Sequence, residues 1–176
     1  YRVGPMASAT ANRRRSVRRT ARSPGTMNAI SEFLSKDHDR IDALADALRR
    51  ETQPPRTAPC FQRFDHALRA HMAWEEDLLF PLFEERTGMR FAGPTAVMRA
   101  EHEQIRGHLQ HLAAAADPPA VGAALDALAA VLAPHNLKEE QVLYPWFDRV
   151  LDAAEKSDLL ERMRSASSED PAGSGS

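Results

Sequence analysis

Two stretches of the chain carry the same set of chemically capable residues at the same spacing. HMAWEEDLLFP, starting at His71, and HNLKEEQVLYP, starting at His135, both read H-x-x-x-E-E-x-x-L-aromatic-P. On a helix, an i, i+4 spacing puts imidazole and carboxylate on one face, about 5–6 Å apart at Cβ, so both can grip one centre. The stretches are 64 residues apart, and the same offset relates DHDRI at 37–41 to EHEQI at 101–105 and Pro54-Pro55 to Pro118-Pro119. His38 lies 33 residues before His71, and His102 lies 33 before His135. Four histidines in register without a gap identify residues 28–150 as two copies of one helical hairpin.

Each copy reads as two helices, which must hold these groups in place. The pattern predicts helices over about Asn28 to Arg50, Thr57 to Arg86, Pro94 to Ala116 and Pro118 to Leu151, with a short fifth starting near Ser157. Pro94 and Pro118 suit a first helical position, Asp117 suits a cap, and Gly88 stands where a helix should terminate. Pro81, Pro134 and Pro145 are expected to kink or end their helices, because proline lacks the amide hydrogen that the ladder needs.

The ionisable residues fall in the apolar seams of these helices. In the second helix Phe61, Phe64, Leu68, His71, Glu75, Leu78 and Leu82 alternate spacings of three and four. Leu125, Leu128, Leu132, His135, Glu139, Val142 and Trp146 do so in the fourth. Leu34, His38, Ile41, Ala45 and Leu48 form the seam of the first helix, and Met98, His102, Ile105, Leu109 and Leu112 that of the third. At about 1.5 Å rise per residue, His38 and His71 stand at one level of their hairpin, and the repeat puts His102 and His135 at the matching level. The fold expected is all-α: an antiparallel up-down four-helix bundle whose middle layer gathers His38, His71, Glu75, His102, His135 and Glu139.

Burying two carboxylates and four imidazoles among Leu and Phe costs several kcal/mol per unpaired charge unless something neutralises them. Metal cations would. Imidazole with carboxylate suits iron, manganese or zinc. If each carboxylate bridges two ions and each ion takes two His, every ion has four protein donors. A six-coordinate ion then keeps about two open positions, one for a bridging oxide or hydroxide and one for a small molecule such as dioxygen, nitric oxide or peroxide.

Composition agrees with this class. Of 176 residues, 43% are hydrophobic and only 6% aromatic, which suits one helical domain. The single Cys60 excludes an internal disulfide framework and a cysteine-based zinc or iron–sulfur site, and fits a reducing, cytoplasmic compartment. Residues 1–26 carry seven Arg and no acid, leaving 16 basic against 25 acidic residues elsewhere. That segment reads as a disordered arm able to contact nucleic acid or anionic lipid or to serve in transit, or as sequence upstream of a start at Met27. No apolar h-region follows its arginines and no longer apolar stretch suggests a span, so a soluble protein without a specific nucleic-acid or membrane partner is expected. The expected layout is the arm at 1–26, a four-helix domain at 27–153, a short helix at 154–165 and a disordered tail at 166–176.

The set DHDRID, HMAWEEDLLFP, EHEQI and HNLKEEQVLYP resembles the hemerythrin-like, or HHE cation-binding, domain over about residues 28–150. The resemblance implies a four-helix bundle with two non-haem iron ions and a bridging oxygen. It assigns His38, His71, His102 and His135 as ligands and Glu75 and Glu139 as bridges, and implies roles around dioxygen, nitric oxide, redox stress or iron handling. Oxygen-carrying hemerythrins have a further His four residues after the third-helix ligand. Arg106 stands there in this chain, which argues against reversible oxygen carriage and toward the sensors and iron-centre repair proteins of the same fold.

The remaining polar residues have plainer readings. Glu76 and Glu140 turn about 100° away from the bridging positions and read as solvated or supporting groups. His66, His108 and His111 read as exposed, Asp42 and Arg106 as salt-bridge partners one turn beyond a ligand, and Trp74, Tyr144 and Trp146 as packing residues, with Tyr144 able to offer a hydroxyl. The function expected is a di-iron protein that binds or senses a small oxidant or handles iron. The alternative is an enzyme that reduces peroxide or nitric oxide or oxidises ferrous iron, the last disfavoured because His outnumbers Glu two to one. A bundle without metal is the third reading.

Overall fold

A computed structural model of the chain describes residues 28–168 apart from 52–54, 56–57 and 91. The Arg-rich arm, Pro54, Thr57 and residues 169–176 of the expected tail lie outside the described residues. Helix α1 is Ala29–Arg49 and α3 is Pro94–Ala114. Helix α2 runs Pro59–Trp74, widens into a π-helical turn over Glu75–Leu79 and resumes over Phe80–Thr87. Helix α4 repeats that build with Pro118–Lys138, Glu139–Leu143 and Tyr144–Val150, and α5 is Ala153–Ser168. No strand occurs among the described residues. The four long helices neighbour one another in chain order, α4 closing the ring against α1, while α5 packs on α1 and α2.

Local chemistry sets most of the ends. Pro118 opens α4 with the Asp117 carboxylate accepting from the Ala120 amide at 2.9 Å. Gly88 ends α2 at φ 74°, a left-handed conformation that a side chain would strain. The fifth helix is longer than expected and starts at Ala153, because Asp152 accepts from the Ala154 and Glu155 amides. It extends to Ser168, so the expected tail does not begin at 166.

The prolines do not end their helices. At Pro81 and Pro145 the π turn immediately before the ring absorbs the conflict: the Phe80 amide donates to the Glu75 carbonyl, and that of Tyr144 to Glu139. This wider i→i+5 closure relieves the crowding that proline imposes on the preceding turn. Pro134 sits inside α4 on its exposed side and the helix continues through it.

Each π turn also adds one residue to its turn and so rotates the following seam. Leu79 and Phe83 are buried in place of Leu78 and Leu82, which are half-buried; Leu143 and Phe147 are buried in place of Val142, which is 57% exposed, and Trp146. The seams of α1 and α3 are as expected from the spacing. Two apolar clusters result, one containing Ile41, Phe64, Leu109 and Leu125, the other Leu34, Phe80, Phe83 and Phe147, with the polar layer between them.

Pro118–Val150 is long and apolar enough to cross a membrane by length and composition, which the sequence reading did not anticipate. Much of its apolarity comes from alanine, with Ala123, Ala127, Ala129, Ala130 and Ala133 on its exposed face, and its other face carries His135 and Glu139 into the bundle.

One ionic cluster ties the start of α1 to the end of α4 and to α5. Asp148 accepts from the Ile30 amide at 3.1 Å, the Ser31 amide at 2.9 Å and the Ser31 hydroxyl at 2.6 Å, capping α1 from the end of α4. Lys156 of α5, 2% exposed, donates to the Asp148 carbonyl at 2.6 Å and lies 3.5 Å from its carboxylate. Asp148→Ala removes a cap and a carboxylate that lies 3.5 Å from the buried Lys156 ammonium. It should lower stability by about 3 kcal/mol, read by denaturant unfolding, with Asp148→Asn losing less.

Candidate metal centre

Helices α1 to α4 each bring one histidine to the middle layer, and the two π turns start at the glutamates. His38, His71, Glu75, His102, His135 and Glu139 are all at most 5% exposed. The Nε2 atoms of His38 and His71 are 3.1 Å apart, and the rings of His102 and His135 are 4.9 Å apart. Glu139 lies 3.4 Å from His38 Nε2 and 2.9 Å from His135 Nε2, while Glu75 lies 3.2 Å from His102 Nε2 and 3.9 Å from His71 Nε2. Each carboxylate therefore reaches one histidine of either pair. Two clusters of potential donors follow, Glu75, His102, His135 and Glu139, and His38, His71 and Glu139, with the donor atoms in each within 4.8 Å of one another.

The other nitrogen of every ring is also held. Asp37 accepts from His71 Nδ1 at 3.0 Å and Glu101 from His135 Nδ1 at 2.9 Å; Glu140 accepts from His38 Nδ1 at 2.8 Å and Glu76 from His102 Nδ1 at 2.7 Å. These four carboxylates form two pairs related by the 64-residue repeat. Holding the proton on Nδ1 leaves the Nε2 lone pair for the centre and fixes the ring plane, which raises the basicity of an imidazole ligand. The supporting carboxylates are anchored in turn: Asp37 by Arg40 at 2.8 Å, Glu76 by Arg106 at 2.7 Å, and Glu101 by Lys138.

Tyr144 is fully buried with its hydroxyl in the middle of the layer. It donates to Glu75 at 2.9 Å or Glu139 at 3.1 Å and lies 3.2 Å and 3.3 Å from the Nε2 atoms of His71 and His38. The π turn lets Tyr144 meet a carboxylate five residues behind it, a separation that would put the two on different faces of an α-helix. Its repeat counterpart is Phe80, whose ring stacks on His102 at 5.6 Å. The two halves of the layer are thus chemically unequal.

Charge in the layer is closely matched. Burial disfavours the protonated form of His38, yet hydrogen bonds with Glu139 and Glu140 outweigh it and raise its pKa to about 9. Burial likewise opposes a charge on His135, and Glu139 and Glu101 raise its pKa. Burial would push Glu139 up, but His135 and His38 hold it well below the carboxylate range. Glu75 goes the other way, lifted by burial and then by the Glu139 charge. Burial and the two glutamates push the Tyr144 phenol well above its ordinary range.

A cation fits this donor set. Among the described residues, Glu75 Oε2, His102 Nε2 and Glu139 Oε1 are buried and make no aligned hydrogen bond, although Glu75 Oε2 and His102 Nε2 face each other at 3.2 Å and Glu139 Oε1 lies 2.9 Å from His135 Nε2; all three belong to the first cluster. Orphaned acceptors at one buried point are rare unless an ion satisfies them. Carboxylate and imidazole without thiolate select iron, manganese or zinc over softer metals.

The family model described as Hemerythrin HHE cation binding domain matches residues 29–166. The chain belongs to the hemerythrin HHE cation-binding family. Among curated relatives, the iron-sulfur cluster repair protein YtfE of Yersinia pseudotuberculosis serotype IB (strain PB1/+) is 30% identical over 95 residues, covering 47% of this chain and 43% of the relative. The chain thus spans less than half of that relative's length. No solved structure gives a significant match.

Within this hemerythrin-like bundle, the six residues singled out by spacing converge on one layer, and Glu76 and Glu140 take the supporting place expected of them. His66 and His111 are exposed, but His108 is half-buried. Arg106 does make salt bridges, to Glu76 and to Glu103. Sequence reasoning missed Asp37 and Glu101, although both precede a histidine at the repeat offset, and it read Tyr144 first as a packing residue while allowing that its hydroxyl could serve the site, which is where the hydroxyl lies. The signal for Tyr144 was the proline after it, which marks the π turn.

A group whose folded pKa is raised contributes stability that is complete below its ordinary pKa and lost as pH rises through the folded value. For His38 that window is 6.5 to about 9. The upward shifts of His135 and Glu75 act in the same direction. Chelator-treated protein should therefore melt at progressively lower temperature as pH is raised across this window, and a saturating divalent cation should flatten the dependence.

Proposed function

We propose that this chain holds two iron ions, with a bridging oxide or hydroxide, in the layer of His38, His71, Glu75, His102, His135 and Glu139, and there binds a small oxidant. Dioxygen, nitric oxide and peroxide are the ligand class. The observation that carries the reading is the reach of Glu75 and Glu139, each of which contacts a histidine of both pairs. In this reading His38 and His71 would hold one ion and His102 and His135 the other, with Glu75 and Glu139 within reach of both. Bound iron would supply an open coordination position and reversible one-electron redox chemistry.

The protein's own groups do the rest. Asp37, Glu76, Glu101 and Glu140 keep a proton on each Nδ1 and so keep each Nε2 free to donate electrons. Tyr144 supplies a hydroxyl at hydrogen-bond distance from both carboxylates and offers a proton donor on the His38–His71 side alone. Leu68, Met72 and Ile105 line the space beside the histidines and limit bulk water there. The relative's name, an iron-sulfur cluster repair protein, supports iron handling as a use of such a centre, and the His-rich donor set supports binding or sensing over ferroxidation.

Purified protein reconstituted anaerobically with ferrous iron should retain close to two ions per chain and give a stable absorbance change on exposure to nitric oxide or dioxygen. Glu75→Ala and Glu139→Ala should each abolish the paired site. Glu76→Ala should keep both ions with affinity weakened about 10–100-fold, because it removes only the support of His102. Full iron retention in both bridging variants would overturn the reading.

A further inference from the structure

The repeat predicts two equivalent faces of the bundle beside the polar layer, and the structure makes them different. On the α1–α4 face an open groove of about 370 Å³ is lined by Ala45, Leu125, Ala129 and Ala133, with Asp42, Leu132 and Asn136 at its inner end. Those last three residues also line a second, enclosed space of about 10 Å³ that reaches His38, His71 and His135. A space of that size is at the threshold for one water molecule.

The residues 64 positions away show why the other face is filled. Ala45 corresponds to Leu109, Ala133 to Arg69, Leu125 to Phe61 and Asn136 to Met72, each larger than its counterpart. Leu109, Phe61 and Met72 are buried, and Arg69 is paired with Asp65. Asp42 corresponds to Arg106, whose guanidinium is tied to Glu76 and Glu103. The α1–α4 face of the bundle is therefore hollowed by small side chains where the α2–α3 face is closed by large ones and a salt bridge.

We infer that the α1–α4 groove is the passage by which a neutral molecule of two heavy atoms reaches the histidines, with Asp42, Leu132 and Asn136 as its size-selecting neck. The inference rests on the functional reading above for the identity of the destination. The space behind the neck is so narrow that even a diatomic enters only as the neck side chains move aside, which disfavours anything larger. Charge selection follows from the groove's charged lining, where Asp42 stands at the neck, Asp46 lies outside it and Arg49 is engaged by Asp126 at 2.7 Å. Such a lining disfavours nitrite or superoxide and leaves uncharged dioxygen or nitric oxide free to pass.

Association of nitric oxide with the reduced, iron-loaded protein, followed by stopped flow, tests the passage. Ala45→Leu and Asn136→Met, which install the side chains of the closed face, should slow association at least tenfold. Leu132→Ala should speed it severalfold, and Ala130→Leu, the same added bulk on the exposed face of α4, should leave it unchanged. Iron content and the spectrum of the saturated adduct are measured for each variant, so that failure to hold iron counts against the functional reading and not against the passage. Equal association rates in iron-replete variants would overturn the passage. A second measurement needs no iron: in metal-free protein under dioxygen pressure, the methyl signals of Ile41 and Leu132 should relax faster than those of Ile30, which is buried in the other apolar cluster. Equal relaxation at these methyls would overturn the inference as well.

Discussion

Six ionisable side chains at one level of an apolar bundle must be neutralised within contact distance, and the rest of the structure serves that requirement. Bulk water cannot do it, because apolar clusters rich in Leu and Phe flank the layer above and below. The groups therefore answer to one another: carboxylates to imidazoles across the centre, and imidazoles to a second ring of carboxylates behind them. The resulting pKa directions, His38 and His135 upward and Glu139 downward, describe a layer in which protons and cations compete for the same places. Such a layer does little for stability by itself, since an apolar layer of equal volume would pack without any desolvation cost. Its retention in both hairpins is intelligible as a site.

The π turns show how backbone geometry and site chemistry were solved together. An α-helix through Glu75 or Glu139 would carry the next proline into the preceding carbonyl. Widening the turn relieves that contact, and the extra residue moves the following aromatic ring onto the layer. Phe80 and Tyr144 owe their positions to this shift, as do Leu79, Leu143, Phe83 and Phe147 in the adjoining core. A rule of strict three-and-four spacing, followed past the glutamates, lands one residue early in both copies. The same rule serves well in α1 and α3, where no proline intervenes. The six central residues were legible because none lies beyond the first residue of a π turn, so the helical period still holds where they stand.

What could not be read from the sequence depends on side chains meeting across helices. The pairing of Asp37 with His71 joins α1 to α2, and that of Glu140 with His38 joins α4 to α1; neither spacing along one helix nor hydrophobic pattern announces them. The repeat does carry the information in another form. Each supporting carboxylate has an acidic partner 64 residues away, so the duplication preserves acid at four positions whose neighbours along the helix give no reason for it. Cap residues such as Asp117 were legible because their partners are three residues away, whereas Asp148, capping α1 from 117 residues along the chain, was not.

Departures from the repeat are as informative as its matches. A duplicated hairpin begins with two identical faces and two identical halves of its central layer, and any difference must come from substitutions. Those that bear on the centre include Phe80 against Tyr144 inside the layer, and Ala45, Ala133 and Asn136 against Leu109, Arg69 and Met72 beside it. The hydroxyl of Tyr144 lies on the His38–His71 side, and the enclosed space behind the hollowed face reaches His38, His71 and His135. Two independent sets of substitutions thus converge on one end of the centre, giving it both a proton donor and a way in. A purely structural layer gains nothing from such coincidence, because an added hydroxyl and a lost methyl each weaken packing. Binding of a small polarisable molecule at that end gains from both.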